Sequence, residues 1–304
     1  MNEKYLKQVE LVVKVLNHIE KENCFALKGG TAINLFYSNL PRLSVDIDLT
    51  YTGFEQREDA CRNINSALER MTKSLKTKGY NAHLQGINIE KKIICSNTDA
   101  TIKIEPNYII RGYINKPEFM TVCDEVEDKF GYAAVQVVSS AELYGGKICA
   151  ALDRQHPRDL FDIKEYFENN TFDKELLKGF IVMLLSHDKP LHETLSPNIK
   201  DQKEIFEKQF LGMTDKTFTY DDHSETLNRL IATVKTAILP YKDLLLDFVA
   251  LKTDLKDFDI NNLEKLPAVK WKIKNLEKLQ KNNPEKFKEQ YTKLVEYFNL
   301  YYPL

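Results

Sequence analysis

The sequence predicts an α+β protein: an N-terminal domain built on a mixed or antiparallel sheet flanked by helices, then a C-terminal helical bundle. Three observations carry that reading. Strand-like runs crowd residues 81–138 at separations too short for repeated βαβ units. Beyond about residue 172 nearly every segment has helical period. A length of 304 residues suits two domains better than one. The expected division is 1–180 and 181–304.

The elements follow in order. Residues 2–21 place Tyr5, Val9, Val12, Val13, Leu16 and Ile19 at helical spacing. Cys24-Phe25-Ala26-Leu27 is a short apolar run that stops at Lys28-Gly29-Gly30. Thr31 to Tyr37 reads as a short helix with Gly30 or Thr31 as its N-cap. Ser44 to Tyr51 alternates polar and apolar, the period of a half-buried strand. A polar helix is expected around 55–78, then strands over 81–87, 90–95, 100–105, 119–123 and 133–138. Helices over 140–154 and 158–168 are divided by His156-Pro157. In the bundle, Leu227, Leu230, Ile231, Val234 and Ile238 mark one stripe, and Phe287, Tyr291, Leu294, Val295 and Phe298 another.

Composition removes several classes. Lys and Arg number 43 against 45 Asp and Glu, a net charge of −2, which argues against a polycation that coats nucleic acid. No apolar run approaches the roughly 20 residues that span a bilayer. The start, MNEKYLKQVE, has no apolar signal core. Five scattered cysteines form no CxxC pair, so free thiols in a reducing cytoplasm are expected, with no membrane partner.

The strongest motif is Gly29-Gly30-Thr31, followed fifteen residues after Thr31 by Asp46-Ile47-Asp48. On an extended strand Ser44, Asp46 and Asp48 share one face, while Val45, Ile47 and Leu49 point into the core. Two carboxylates roughly 7 Å apart repel unless a cation sits between them, and hard oxygen ligands suit Mg²⁺. A strand ending in Gly-Gly before a helix leaves room for phosphate to approach the backbone, with Lys28 and Thr31 offering a charge and a hydroxyl. Thr101-Ile102-Lys103-Ile104-Glu105 alternates cleanly, and a neighbouring strand could bring Glu105 beside Asp46 and Asp48 as a third metal ligand. Lys147 interrupts an apolar stripe of Leu143, Tyr144, Ile148 and Ala151, with Arg154 almost on its face. A lysine there needs an anion, and a triphosphate supplies one. Asp159 and Asp162 sit at the next helix start, where carboxylates suit the macrodipole.

Together these residues resemble a known family. Gly29-Gly30-Thr31, Arg42-x-Ser44-x-Asp46-Ile47-Asp48-Leu49, Lys103-Ile-Glu105 and Lys147…Arg154…Arg158-Asp159-Leu-Phe-Asp162 are similar to the AbiEii/AbiGii toxin-type nucleotidyltransferases over residues 25–168. The resemblance implies the DNA polymerase β-like nucleotidyltransferase fold in the first domain. It implies that Asp46 and Asp48 hold Mg²⁺ (or Mn²⁺), with Glu105 the third metal ligand expected from its strand face. Lys28, Gly29, Gly30, Thr31, Arg42, Ser44, Lys147, Arg154 and Arg158 would bind the NTP. Lys147, Asp159 and Asp162 would join the three acids as catalytic groups.

The implied function is Mg²⁺-dependent transfer of a nucleotide from an NTP to an acceptor, releasing pyrophosphate. The family is one of toxins in type IV toxin–antitoxin or abortive-infection systems, so a cognate antitoxin is an expected partner and tRNA the first acceptor. The alternatives are a protein acceptor, or a nucleotide- or RNA-binding module without turnover. Between Asn261 and Leu304 there are nine lysines and five glutamates, among which Tyr291, Tyr297, Tyr301 and Tyr302 could stack bases.

Overall fold

The structure, a computed structural model, describes residues 1–87 and 89–301. Tyr302 lies outside the described residues, as does the side chain of Tyr301. The chain forms two compact units: Met1–Leu143 with Glu207–Thr217, and Tyr144–Phe206 with the chain from Phe218 onward. Where the sequence suggests a division near residue 180, the units divide at Leu143, and 207–217 belong with the sheet.

The first unit opens with α1 (Glu3–Ile19), β1 (Phe25–Lys28) and the short α2 (Gly29–Ala32), which runs into a π-helical turn over Ile33–Tyr37. There follow β2 (Ile47–Tyr51), α3 (Arg57–Thr77), β3 (Asn81–Ile87), β4 (Glu90–Ser96) and β5 (Thr101–Asn107). Then come β6 (Glu118–Thr121), α4 (Asp124–Phe130) and β7 (Ala134–Val137). The strands form one seven-stranded sheet in the order β3-β4-β5-β2-β1-β7-β6. It is mixed, as expected: β2 runs parallel to β5 and β1 parallel to β7, and the other pairs are antiparallel.

Register puts one apolar face together from sequence alternation alone. Ile93 opposes Ile104, Ile104 opposes Ile47, and Leu49 opposes Leu27, which opposes Val137. All six are buried, and α1 and α3 bury their own apolar stripes against this sheet. The other face carries polar residues at the alternate positions.

Two boundaries differ from expectation. The helix after β1 begins at Gly29, with Lys28 as N-cap, because the positive φ of Gly29 (74°) turns the chain one step early. The strand expected over 44–51 starts only at Ile47. Backbone groups before it are engaged elsewhere: the Leu43 N–H donates to the Met213 carbonyl at 2.7 Å, and the Asp46 carbonyl accepts from the Thr31 hydroxyl.

Helix α5 (Ser140–Arg154) leads into the second unit, followed by α6 (Pro157–Asn169), α7 (Lys174–Ser186), α8 (Leu191–Leu195) and α9 (Lys203–Gln209). The rest is α10 (Tyr220–Ala237), α11 (Lys242–Val249), α12 (Pro267–Asn282) and α13 (Pro284–Tyr301). Helices α5 and α7 touch backbone to backbone: a Cβ on Gly145 would stand 2.3 Å from the Gly179 carbonyl carbon. Helix α10 packs on α6, and α12 packs on α7 and α13. Leu227, Leu230, Val234, Ile238, Leu294 and Phe298 are buried, as their stripes predict. No described helix is long and apolar enough to cross a membrane.

Candidate active site

In the sheet unit the candidate residues gather where β1 ends and β2 begins. Lys28 is the register partner of Asp48, and Asp48 that of Glu105. A row of charges therefore crosses the polar face of β1, β2 and β5. It ends on Lys92 of β4, whose Nζ meets Glu105 Oε1 at 2.7 Å. Glu105 thus lies beside Asp48, but it already has a cationic partner. Burial lowers the pKa of Lys28, against the opposing pull of the Asp48 and Glu142 carboxylates.

The two glycines are required by contact. A Cβ on Gly29 would fall 2.3 Å from Asp48 Oδ2, and φ there is positive. A Cβ on Gly30 would fall 2.7 Å from Arg42 Nη2 and 3.0 Å from Ser44 Oγ. The Gly30 carbonyl accepts from Asn34 Nδ2 at 2.9 Å. The sequence thus places the Gly-Gly turn directly against Asp48, Arg42 and Ser44.

Thr31 was expected to offer its hydroxyl to a nucleotide. It is instead fully buried: Oγ1 donates to the Asp46 carbonyl and lies 3.0 Å from Ser44 Oγ. Arg42 is also buried, with Nη1 donating to the Leu43 carbonyl at 2.9 Å. These side chains fix the backbone that presents Asp46. Asp46 and Asp48 themselves are half-buried.

The residues present fit a magnesium ion of one kind. Mg²⁺ is usually held by one or two carboxylates together with substrate phosphates, not by an all-protein cage. Asp46 and Asp48 could serve as such a pair, and among the described residues no group of three acids, histidines or cysteines is assembled for a metal. The third expected ligand, Glu105, is engaged by Lys92.

The helical unit carries a second cluster, of opposite character. Lys147 is 8% exposed, and its Nζ lies 2.8 Å from Asp159 Oδ1 and 3.1 Å from Asp162 Oδ2. Arg154 closes on Asp159 from the other side, Nε to Oδ2 at 2.5 Å and Nη2 to Oδ1 at 3.0 Å. Burial pushes the Asp159 pKa up, but the Lys147 and Arg154 charges prevail and hold it well below the usual carboxylate range. The anion that Lys147 needs is therefore supplied first by these two aspartates. His156 caps α6, Nδ1 accepting from the Arg158 N–H at 3.1 Å, and half-buried Arg158 stands on the first turn.

Three residues that sequence reasoning passed over support these clusters. Lys92 is one. Glu142 is another: its carboxylate accepts from the Ile114 N–H at 3.1 Å, the Asn115 N–H at 3.3 Å and the Ser139 hydroxyl at 2.9 Å. Ser139-x-x-Glu142 is a capping-box pattern, so that signal was present in the sequence. The third is Gln155, at the corner between α5 and α6 with φ of 54°. Its side chain donates to the Asn198 carbonyl and accepts from the Lys200 N–H, both at 2.8 Å, and its carbonyl accepts from His223 Nε2 at 2.9 Å. These bonds over-determine a left-handed residue between Arg154 and Asp159. A cleft of about 420 Å³ in the same unit, lined by Asp153, Lys189, His192, Lys200 and Lys293 among others, includes none of the candidate catalytic or NTP-binding residues.

A glycine-pinned acid pair on the central strands of a mixed sheet belongs to the nucleotidyltransferase class of fold. The sequence model described as "Nucleotidyl transferase AbiEii toxin, Type IV TA system" matches residues 11–275. The chain belongs to that family, and it is a nucleotidyltransferase toxin of the type found in type IV toxin–antitoxin systems. Its fold is similar to that of MenT4, the nucleotidyltransferase toxin Rv2826c from Mycobacterium tuberculosis H37Rv. That match has a TM-score of 0.57 at 12% identity and covers 90% of this chain and 95% of the other. No curated protein matches the sequence. The expected family, fold class and enzymatic activity are borne out.

Proposed function

We propose that the protein moves a nucleotide from an NTP to an RNA acceptor, tRNA first, with Mg²⁺ and release of pyrophosphate, in the cytoplasm and under restraint by a cognate antitoxin. The observation that carries this reading is the contact of Gly29 with Asp48, which leaves no room for a side chain between the turn and the acid. Mg²⁺, when bound, neutralises charge on the phosphoryl oxygens. Asp46 and Asp48 hold it. Thr31 and Ser44 keep Asp46 in place, while Gly29 and Gly30 leave the turn open to the triphosphate. Lys28 offsets the charge of the acid row, and Glu105, neutralised by Lys92, shapes that row without being required as a ligand.

Lys147, Arg154 and Arg158 supply positive charge for the triphosphate. An ammonium has three donors. The two aspartates take two of them, which leaves one for a phosphate oxygen. Asp159 and Asp162 thus act through Lys147 as positioning residues. The test is incubation with Mg²⁺, each labelled NTP, and total cellular RNA or protein. Label in RNA is expected. Label in protein moves the acceptor to a protein hydroxyl, and no label in either reduces the chain to a binding module.

A further inference from the structure

Helix α12 has one face that the rest of the bundle does not explain. Its inner side is buried through Ala268, Val269, Lys272 and Leu276, in packing against α7 and α13. Lys272 fixes the rotation of the helix: its Nζ donates to the carbonyls of His187 at 2.8 Å, Asp188 at 3.3 Å and Lys189 at 2.5 Å. At 100° per residue, Lys270, Lys274, Lys278 and Lys281 then fall within one quadrant of the outer side, and all four are exposed. Trp271, the sole tryptophan of the chain, stands at the border of that quadrant and is 59% exposed.

Two features separate this face from an ordinary solvated helix surface. Several helices pair a lysine with an acid at i,i+4, as in Lys14–Glu10, Lys129–Glu125, Lys164–Glu168 and Lys293–Glu289, whereas α12 gathers four unpaired lysines in one quadrant. None of the four outer lysines of α12 meets a carboxylate among the described residues, and Glu277 is the one acid in the helix. The second feature is the indole, a large apolar ring left in water beside four uncompensated cations. Lysines four residues apart along a helix rise by about 6 Å, a spacing that follows successive phosphates along one strand. An exposed aromatic at the edge of such a row offers a stacking surface for an unpaired base.

We infer that the outer face of α12, formed by Lys270, Trp271, Lys274, Lys278 and Lys281, binds an RNA strand that carries at least one unstacked base. The lysines meet phosphates and Trp271 stacks the base. The inference rests on RNA being the acceptor. Of the tyrosines expected to stack bases there, Tyr297 is buried and Tyr291 half-buried, so among the described side chains of α12 and α13 the most exposed aromatic ring is the indole.

The single tryptophan makes the full-length protein its own reporter. Titration with a single-stranded oligoribonucleotide should quench its fluorescence, with affinity falling steeply in salt. Replacing all four lysines by Ala should reduce the log–log salt slope by about 3, at about 0.7 per phosphate contact. Trp271→Ala, followed by electrophoretic mobility, should weaken binding about tenfold. Alanine favours helix, so circular dichroism should show both variants folded. An unchanged salt slope in the lysine variant, or equal quenching by polyglutamate, overturns the inference; the latter would mark a face for an acidic protein. If wild-type protein labels RNA while the variants bind it unimpaired, this inference fails and the RNA acceptor stands. If the face binds RNA but only protein is labelled, the acceptor reading fails instead.

Discussion

The two charge clusters use the same residue types and reach opposite states. At the start of β2, Asp46 and Asp48 are half-buried on a sheet face, with Glu105 beside them and Lys28 as the near cation. At the start of α6, Asp159 and Asp162 are 1% exposed and fully engaged by Lys147 and Arg154. The first arrangement sits on a half-buried sheet face, with Lys28 opposite Asp48. The second has its charges matched internally, at two acids to two bases. A half-buried acid can be removed at smaller cost than a member of a buried network, whose loss strands a buried charge.

The sharpest separation comes from Asp46→Ala and Asp48→Ala. Each should reduce turnover by roughly 10³-fold or more, about 4 kcal/mol in transition-state stabilisation. Asp46→Ala should leave the melting temperature nearly unchanged, because no apolar cavity opens, while Asp48→Ala also removes a counter-charge of Lys28 and should lower it modestly. Activity assays paired with thermal melts check this. A variant that unfolds, or one that stays active, breaks the comparison on the sheet side.

Lys147→Ala should do what the acid substitutions do not. It strands two buried carboxylates and should cost roughly 3–5 kcal/mol of stability. It should also weaken NTP binding by the folded fraction, without rescue by excess Mg²⁺. The pH dependence has a defined sign. The Asp159 pKa is depressed in the folded state, so its contribution is present above the unfolded carboxyl value and lost as pH falls through the folded one. Without Lys147 that depression shrinks, and the acid-unfolding midpoint should move to higher pH. A midpoint that stays in place would show that Arg154 alone sustains the network.

These contrasts bear on how much could be read from the chain itself. Alternation over 44–51 gives β2 and the core side of Ile47 and Leu49, because a period of two is a local property. It does not reveal that Asp46 precedes the ladder, since that follows from Thr31 and Met213, distant in sequence. Lys147 on an apolar stripe announces that it needs an anion. Which anion was hidden, because Asp159 and Asp162 reach it only through the left-handed corner at Gln155. Glu105 was placed on the right strand, but its partner Lys92 depends on the β4–β5 register, which no local pattern declares. Trp271 is plain in the sequence, yet its exposure depends on the rotation that Lys272 imposes.

Gly29→Ala tests the sheet cluster more gently. The new methyl would overlap the Asp48 carboxylate and require a backbone conformation that L residues rarely adopt. The expected stability loss is about 1–3 kcal/mol, with turnover falling at least several-fold as Asp48 is displaced. Gly79→Ala is the control, since φ there is also positive but no atom lies within 4 Å. Equal activity in the two variants would mean that contact with Asp48 has no bearing on catalysis.

The smallest effect concerns another buried cation. Lys272 resembles Lys147 in burial but meets three backbone carbonyls in place of two carboxylates. Burial lowers its pKa to about 8, against the pull of Asp188, Cys149 and Glu193. Carbonyl dipoles compensate an ammonium less completely than opposite charges do, so the folded state favours release of the proton. Between pH 8 and the ordinary lysine value near 10.4, the unfolded chain then holds more protons than the folded one. Stability contributed by this group must rise with pH across that window. Thiols and phenols with raised pKa values act in the opposite direction in the same range, so the wild-type curve alone is uninformative. The quantity to measure is the difference between wild type and Lys272→Met, by urea unfolding at pH 7.5, 8.5 and 9.5. Wild type should gain on the variant at each step, and a constant difference would mean that the carbonyls compensate Lys272 as fully as Asp159 and Asp162 compensate Lys147.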